Sequence, residues 1–395
     1  MENVLFLVHR VPYPPNKGDK IRSFHMLKYL ARRYKVYLGA FADDAEDLQH
    51  VDALKAYCAD IKILPLDRRV GYLRALRALA SREALGVGFY RDRRMAAWVA
   101  QVLGSRDFKA AICFSSTMAT YLEPLPSAGT LKIADLVDMD SEKWRQYAGE
   151  RRFPMSTIYA REARLLRDLE ARVANGFDRC VLVSPDEAEL LLPDVSGRRE
   201  RVVSICNGVD TEFFDPAHDL ASPYAPDEQA LVFTGAMDYW PNIDAVVWFA
   251  REVFPEIRRA SGATFHIVGD KATEAVQALA AIDGVFVEGR VEDIRPWIRH
   301  AAAAVAPLRI ARGLQNKVLE AMAMARITLL TPEAAEGISG AGLPGFRICS
   351  TPAEFHAEAG AVLGAGVSEA GESRAFVQEH FSWQLFEQEW DRLLV

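Results

Sequence analysis

Short apolar runs alternate with longer segments of helical periodicity along the whole chain, and this rhythm constrains the fold more than any other feature. In the first half the runs are Val4–Val8, Val36–Phe41, Ile61–Leu66, Ala110–Phe114, Lys132–Leu136 and Cys180–Val183. In the second half they are Val202–Cys206, Ala230–Thr234, Thr264–Val268, Val285–Val287, Ala303–Ala306 and Ile327–Leu330. Helical patterns such as Ile21–Arg33, Ser156–Ala174, Ile243–Arg259 and Val318–Ala325 lie between them. A strand buried on both faces needs an unbroken apolar run, and a parallel neighbour needs a helical crossover. The pattern therefore predicts an α/β chain with two doubly wound sheets, each in a Rossmann-like domain. At 395 residues the chain is long enough for two domains.

The charged stretch Ser196–Arg201 has no apolar periodicity and marks the expected seam, giving a first domain of 1–200 and a second of 201–375. Pro216, Pro223 and Pro226 make 215–227 a loop. A final amphipathic segment carries Phe381, Trp383, Leu385, Phe386, Trp390 and Leu393. So many apolar groups need a large surface to cover, so residues 376–395 are expected to pack back on the first domain.

Val4–Val8 reads as a buried strand and not as an export signal, and no apolar stretch is long enough to span a bilayer. The five cysteines have neither metal-ligand nor redox spacing, which suits thiols in a reducing cytoplasm. The formal net charge is −7 but unevenly placed: residues 1–200 carry 32 Lys and Arg against 27 Asp and Glu. Between Arg68 and Arg94 stand eight arginines against only Glu83 and Asp92, with Tyr72, Leu73, Leu76, Leu79 and Ala80 at helical spacing. This basic amphipathic stretch either rests on an anionic membrane, on the inner face of the cell membrane, or is a solvated helix packed on its own domain. Nucleic acid is not an expected partner, because the chain is acidic and carries no nucleic-acid motif.

Several chemistries lack their motifs. No Gly-x-Gly-x-x-Gly follows a strand, no Walker sequence is present despite Lys17-Gly18-Asp19-Lys20, and no His-Glu-x-x-His occurs. Gly337-Ile338-Ser339-Gly340-Ala341 narrowly misses a nucleophile elbow. What remains is Arg312-Gly313-Leu314-Gln315-Asn316-Lys317-Val318-Leu319-Glu320-Ala321-Met322-Ala323, which follows a strand and opens a helix. Lys317 and Glu320 share one helix face near the N-terminus, where free N–H groups attract phosphate. A lysine for an anion and a glutamate for a ribose diol suit a nucleoside diphosphate; a plain surface ion pair is the alternative.

This segment resembles the donor site of family 4 glycosyltransferases, whose two Rossmann-like domains face across a cleft in the GT-B fold. Asn207-Gly208-Val209-Asp210, Phe233-Thr234-Gly235, Ile267-Val268-Gly269-Asp270 and Val287-Glu288-Gly289-Arg290-Val291 resemble successive parts of the same donor domain, and Pro14–Asp19 the glycine loop of the other. Pro12–Arg22, Asp138–Trp144 and Gly235–Asn242 are similar to sugar transferases associated with PEP-CTERM and exosortase exopolysaccharide systems. The resemblance implies donor binding by Gly18, Arg22, Asn207, Gly235, Gly269, Arg290, Val291, Arg312, Gly313, Leu314, Gln315, Asn316, Lys317 and Glu320. Lys317 also takes a catalytic role there, opposite the diphosphate. Many relatives carry a glutamate at position 312 and a Lys-Gly where this chain has Pro241-Asn242.

Asp138-Met139-Asp140 either caps a loop or places Asp138 or Asp140 as a catalytic carboxylate facing an acceptor held by Lys143. The implied reaction is retaining, metal-independent transfer of a hexosyl group from a nucleotide-sugar, with no cofactor, to a saccharide or lipid-linked saccharide. Alternatives on the same scaffold are a sugar-nucleotide 2-epimerase and a non-catalytic nucleotide-sugar-binding protein.

Overall fold

The structure is a computed structural model that describes residues 1–15, 18–125, 129–311, 313–338, 342–365 and 370–394. The chain divides into two compact units: Met1–Cys206 with Glu387–Val395, and Asn207–Phe386.

The first unit contains β1 (Asn3–Val8), β2 (Lys35–Ala42), β3 (Asp60–Pro65), β4 (Ala110–Phe114), β5 (Leu131–Val137), β6 (Arg179–Leu182) and β7 (Val202–Ser204). They form a parallel sheet in the order β3-β2-β1-β4-β5-β6-β7. Its helices include α1 (Gly18–Arg33), α2 (Arg68–Leu79), α3 (Leu85–Tyr90), α4 (Asp140–Glu150) and α5 (Met155–Gly176). Every residue of β4 is buried, as an all-apolar central strand requires. The chain reverses its direction of travel across the sheet between β1 and β4, so the C-terminal ends of these strands flank the crevice where α/β sheets bind ligands.

The second unit contains β8 (Ala230–Thr234), β9 (Thr264–Val268), β10 (Val285–Gly289), β11 (Ala303–Ala306), β12 (Thr328–Leu330) and β13 (Phe346–Ile348). Their order is β10-β9-β8-β11-β12-β13, again parallel, with the switch between β8 and β11. Here α6 (Trp240–Trp248) follows β8, α7 (Asn316–Ala323) follows β11, and α8 (Trp383–Leu394) ends the chain, passing from the second unit into the first.

The seam falls at Cys206/Asn207, later than the charged stretch suggests. Arg199–Arg201 is only a turn of 3₁₀ helix, and Val202–Ser204 adds the last strand of the first sheet beside β6. Edge strand β13 is absent from the strands read in sequence, because Phe346-Arg347-Ile348 is too short to show a period. Among the described residues no helix is long and apolar enough to cross a membrane, and all five cysteines are free.

The end of α8 completes the first unit's core. Trp390 is fully buried, Asp391 accepts from Tyr29 Oη at 2.8 Å and pairs with Arg33 at 2.9 Å, and Glu387 pairs with Arg32.

Candidate functional site

In the second unit, the turn after β8 and the start of α7 meet at the switch point. Gly235 N–H donates to Val268 O at 3.0 Å, and Gly269 N–H to Gly289 O at 2.8 Å, which ties the ends of β8, β9 and β10 together. The approach leaves no room for side chains: a Cβ on Gly269 would lie 1.7 Å from the Gly235 carbonyl oxygen. Gly235 itself has φ 155°, a conformation disfavoured for other residues.

Lys317 reaches this turn from α7. Its Nζ donates to Asn242 Oδ1 at 2.5 Å and lies 4.3 Å from the centre of the Phe233 ring. Asn242, buried in the first turn of α6, uses its other end to donate Nδ2–H to Ala236 O at 2.9 Å. One amide thus holds the glycine turn and the ammonium together. A second bond to the same helix, in which Arg309 Nη2 donates to Asp244 Oδ1 at 2.6 Å, pins the loop between β11 and α7. Asn207 Nδ2 donates to Asn316 Oδ1 at 3.3 Å, adding the first residue of the second unit to the N-terminus of α7.

Burial lowers the Lys317 ammonium to about 7, against the pull of Glu320. Burial likewise raises the Glu320 carboxyl to about 7, restrained by Lys317. Both lie on one face of α7, while Val318, Leu319, Ala321 and Met322 fill the core behind them. α7 begins without a side-chain cap, so its first N–H groups are available to an anion.

Other sequence candidates divide. Gly313, at φ 63°, and buried Leu314 lead into α7, and Gln315 Nε2 donates to Gly313 O at 3.3 Å. Arg290, exposed, and Val291 follow β10, two residues beyond Glu288, whose carboxylate is bonded to His266 Nδ1 at 2.8 Å. Arg312 lies outside the described residues. So do Asn16 and Lys17, immediately before exposed Gly18 at the start of α1, and part of the 337–341 segment.

Arg22 requires correction. It is fully buried within the first unit, bonded through Nε and Nη2 to both carboxylate oxygens of Asp135 at 2.9 and 3.1 Å, and through Nη1 to Ile205 O at 2.8 Å. A guanidinium committed to this core cannot turn to a donor phosphate, so its role is to tie β5 to the chain leaving β7.

The first unit gathers carboxyl groups beyond β4 and β5. Ser115 and Val137, at the ends of these strands, have φ 79° and 69°, strained values for non-glycine residues. Ser116 Oγ donates to Asp140 Oδ2 at 3.2 Å, Met139 N–H to Glu187 Oε2 at 2.6 Å, and Ser141 N–H to Glu170 Oε1 at 3.0 Å. Burial, with Glu187 close by, raises the Asp138 carboxyl to about 8; Lys143 acts in the opposite direction. Burial also raises Glu170 to about 8. At the end of β1, His9 Nε2 lies 3.2 Å and Arg10 Nη1 2.9 Å from Asp19 Oδ2. Burial opposes ionisation of Asp19, yet His9 and Arg10 outweigh it and hold the carboxyl far below its usual range.

Sequence reasoning missed Asn242, Ser116, His9 and Glu187 as parts of these clusters. Asn242 had a signal in the resemblance, since Pro241-Asn242 stands where many relatives carry a Lys-Gly.

Residues 228–364 match the family described as Glycosyl transferases group 1. The fold is GT-B. Sucrose-phosphate synthase from Thermosynechococcus elongatus superposes with a TM-score of 0.72 at 14% identity, covering 100% of this chain and 98% of that one. Anabaena HepE, in complex with UDP and glucose, gives 0.67 at 13% identity, with 100% and 99% covered. A mutant of Staphylococcus aureus TarM, in complex with Fondaparinux, alpha-GlcNAc-glycerol and UDP, gives 0.69 at 10% identity, with both chains covered at 100%. No curated protein matches the chain.

Proposed function

We propose that this protein is a glycosyltransferase that moves a sugar from a nucleotide-sugar to a saccharide or lipid-linked saccharide. The observation that carries this reading is Lys317, held by Asn242 against the Gly235 turn at the switch point, with Glu320 on the same helix face. A nucleoside diphosphate fits this set: phosphate toward Lys317 and the N-terminus of α7, ribose hydroxyls toward Glu320. The group 1 match covers these residues, and HepE and TarM were each solved with UDP.

Breaking the glycosidic bond leaves negative charge on the departing diphosphate. An ammonium and aligned N–H groups already in place stabilise that charge without reorganising. The finer reading follows from the resemblance to family 4: hexosyl transfer with retention, metal-independent, with the departing phosphate accepting the acceptor's proton. Asp138, Asp140 and Lys143 then serve the acceptor side. The resemblance to PEP-CTERM-associated transferases adds a role in exopolysaccharide synthesis, at the cytoplasmic face of the membrane, which residues 68–94 contact.

Acceptor-dependent release of nucleoside diphosphate, measured across a panel of nucleotide-sugars and saccharide acceptors, tests the reading. Release with sugar isomerisation and no acceptor would make the protein an epimerase. Binding without turnover across the panel would make it a non-catalytic binder.

A further inference from the structure

Helix α2 packs with its small residues inward. A Cβ on Gly71 would lie 2.6 Å from the Phe89 ring of α3, and one on Gly88 would lie 3.0 Å from Ala78 Cβ. The large apolar residues point out: Tyr72, Leu73 and Leu76 are 63%, 60% and 60% exposed. At about 100° per residue, Tyr72, Leu76 and Leu73 form one stripe on the side away from Gly71, Ala75 and Ala78, with Leu79 at its edge. An ordinary surface helix turns its leucines the other way.

On the flank of α2 next to Leu73, where Arg77 stands, lies a groove of about 600 Å³ with Arg74, Arg77, Arg91, Arg93 and Arg94 in its walls. Asp92 pairs with Arg94 at 2.8 Å and Arg74 at 3.6 Å, and Glu83 with Arg91. Arg77 and Arg93 have no carboxylate partner among the described residues. Apolar side chains facing outward beside uncompensated guanidinium groups complement one surface, a leaflet whose acyl chains lie beneath anionic phosphates.

We infer that α2 inserts its Leu73–Leu76–Tyr72 face into an anionic phospholipid leaflet, with Arg77 and Arg93 seated on lipid phosphates. This rests on the reading of 68–94 as a membrane contact and narrows it, from charge attraction to insertion of a specific face. Attraction alone is screened by salt, whereas buried apolar area is not.

Sedimentation of the full chain with phosphatidylcholine vesicles, with and without phosphatidylglycerol, separates the two. The wild type is expected to bind the phosphatidylglycerol vesicles and to keep part of that binding at high salt. Leu73→Ser with Leu76→Ser lowers the partition by about tenfold or more at both salt levels. Arg77→Ala with Arg93→Ala lowers it by about tenfold at low salt. Both leucines are solvent-facing, so the melting temperature of the double variant stays near that of the wild type, which checks folding. Wild-type binding that vanishes at high salt and ignores the leucine substitutions overturns insertion but leaves the broader contact standing. Absence of wild-type binding to either vesicle overturns both. A dimer in solution that the leucine substitutions dissociate, without vesicle binding, makes the face a self-association surface and also overturns the inference. None of these outcomes depends on transferase activity.

Discussion

Lys317 is an ammonium that the protein has made easy to deprotonate, and this has consequences for ligand binding. With the free group lowered to about 7 by burial, a bound diphosphate must raise it again to retain the charge. Affinity from this group is full below about pH 7 and falls as pH rises through the higher value of the complex. Titration calorimetry with UDP and other nucleoside diphosphates between neutral and alkaline pH should show that fall, with proton uptake, and Lys317→Met should flatten it. Asn242 gives a sharper test. Replacing it by Ala releases Lys317 and leaves Ala236 O without its donor, costing about 1–2 kcal/mol of nucleotide affinity. Asn242→Asp keeps Lys317 in place but sets a carboxylate against the phosphate, so it should weaken binding more than Ala does. Equal affinity in both variants and the wild type would remove Asn242 from the site.

Among elements, the turns at the ends of β8 and β9 are the least tolerant part of the second unit. Gly269→Ala puts a methyl group 1.7 Å from the Gly235 carbonyl oxygen, a backbone atom with nowhere to go. Destabilisation of about 3 kcal/mol or more is expected, with loss of nucleotide binding. Gly360→Ala, in a helix of the same unit with open space around its Cβ, should instead gain about 0.5–1 kcal/mol. Thermal unfolding of both variants checks the contrast. These turns were legible in sequence through resemblance, Phe233-Thr234-Gly235 and Ile267-Val268-Gly269-Asp270 being similar to parts of a glycosyltransferase donor domain. The pairing of Arg22 with Asp135 was not, because 113 residues separate the partners and no local period reports the contact.

At the scale of the molecule, the chain closes its first unit with its last residues. Trp390 is fully buried there, so Trp390→Ala should cost that unit about 3–5 kcal/mol. Calorimetry should show an earlier unfolding transition; an unchanged melting profile would mean that the segment adds little. The aromatic spacing of 381–393 announces a helix with a large surface to cover, and 376–395 is expected on the first domain; the first unit takes only 387–395, while 376–386 stay with the second. The seam shows the same limit. Charge and absent periodicity drew attention to 196–201, whereas strand pairing carried the first sheet on through Ser204.

Local pattern by itself determined most of the parallel strands and the helix that presents Lys317 and Glu320, because backbone period and apolar burial are properties of neighbours in sequence; it gave neither β13 nor the sheet that β7 joins. Tertiary structure decided the partners: Asn242 for Lys317, Asp135 for Arg22, and solvent for the leucines of α2. A hydrogen bond or a buried ion pair depends on separation in space, and residues far apart in the chain acquire that only when the sheets have formed.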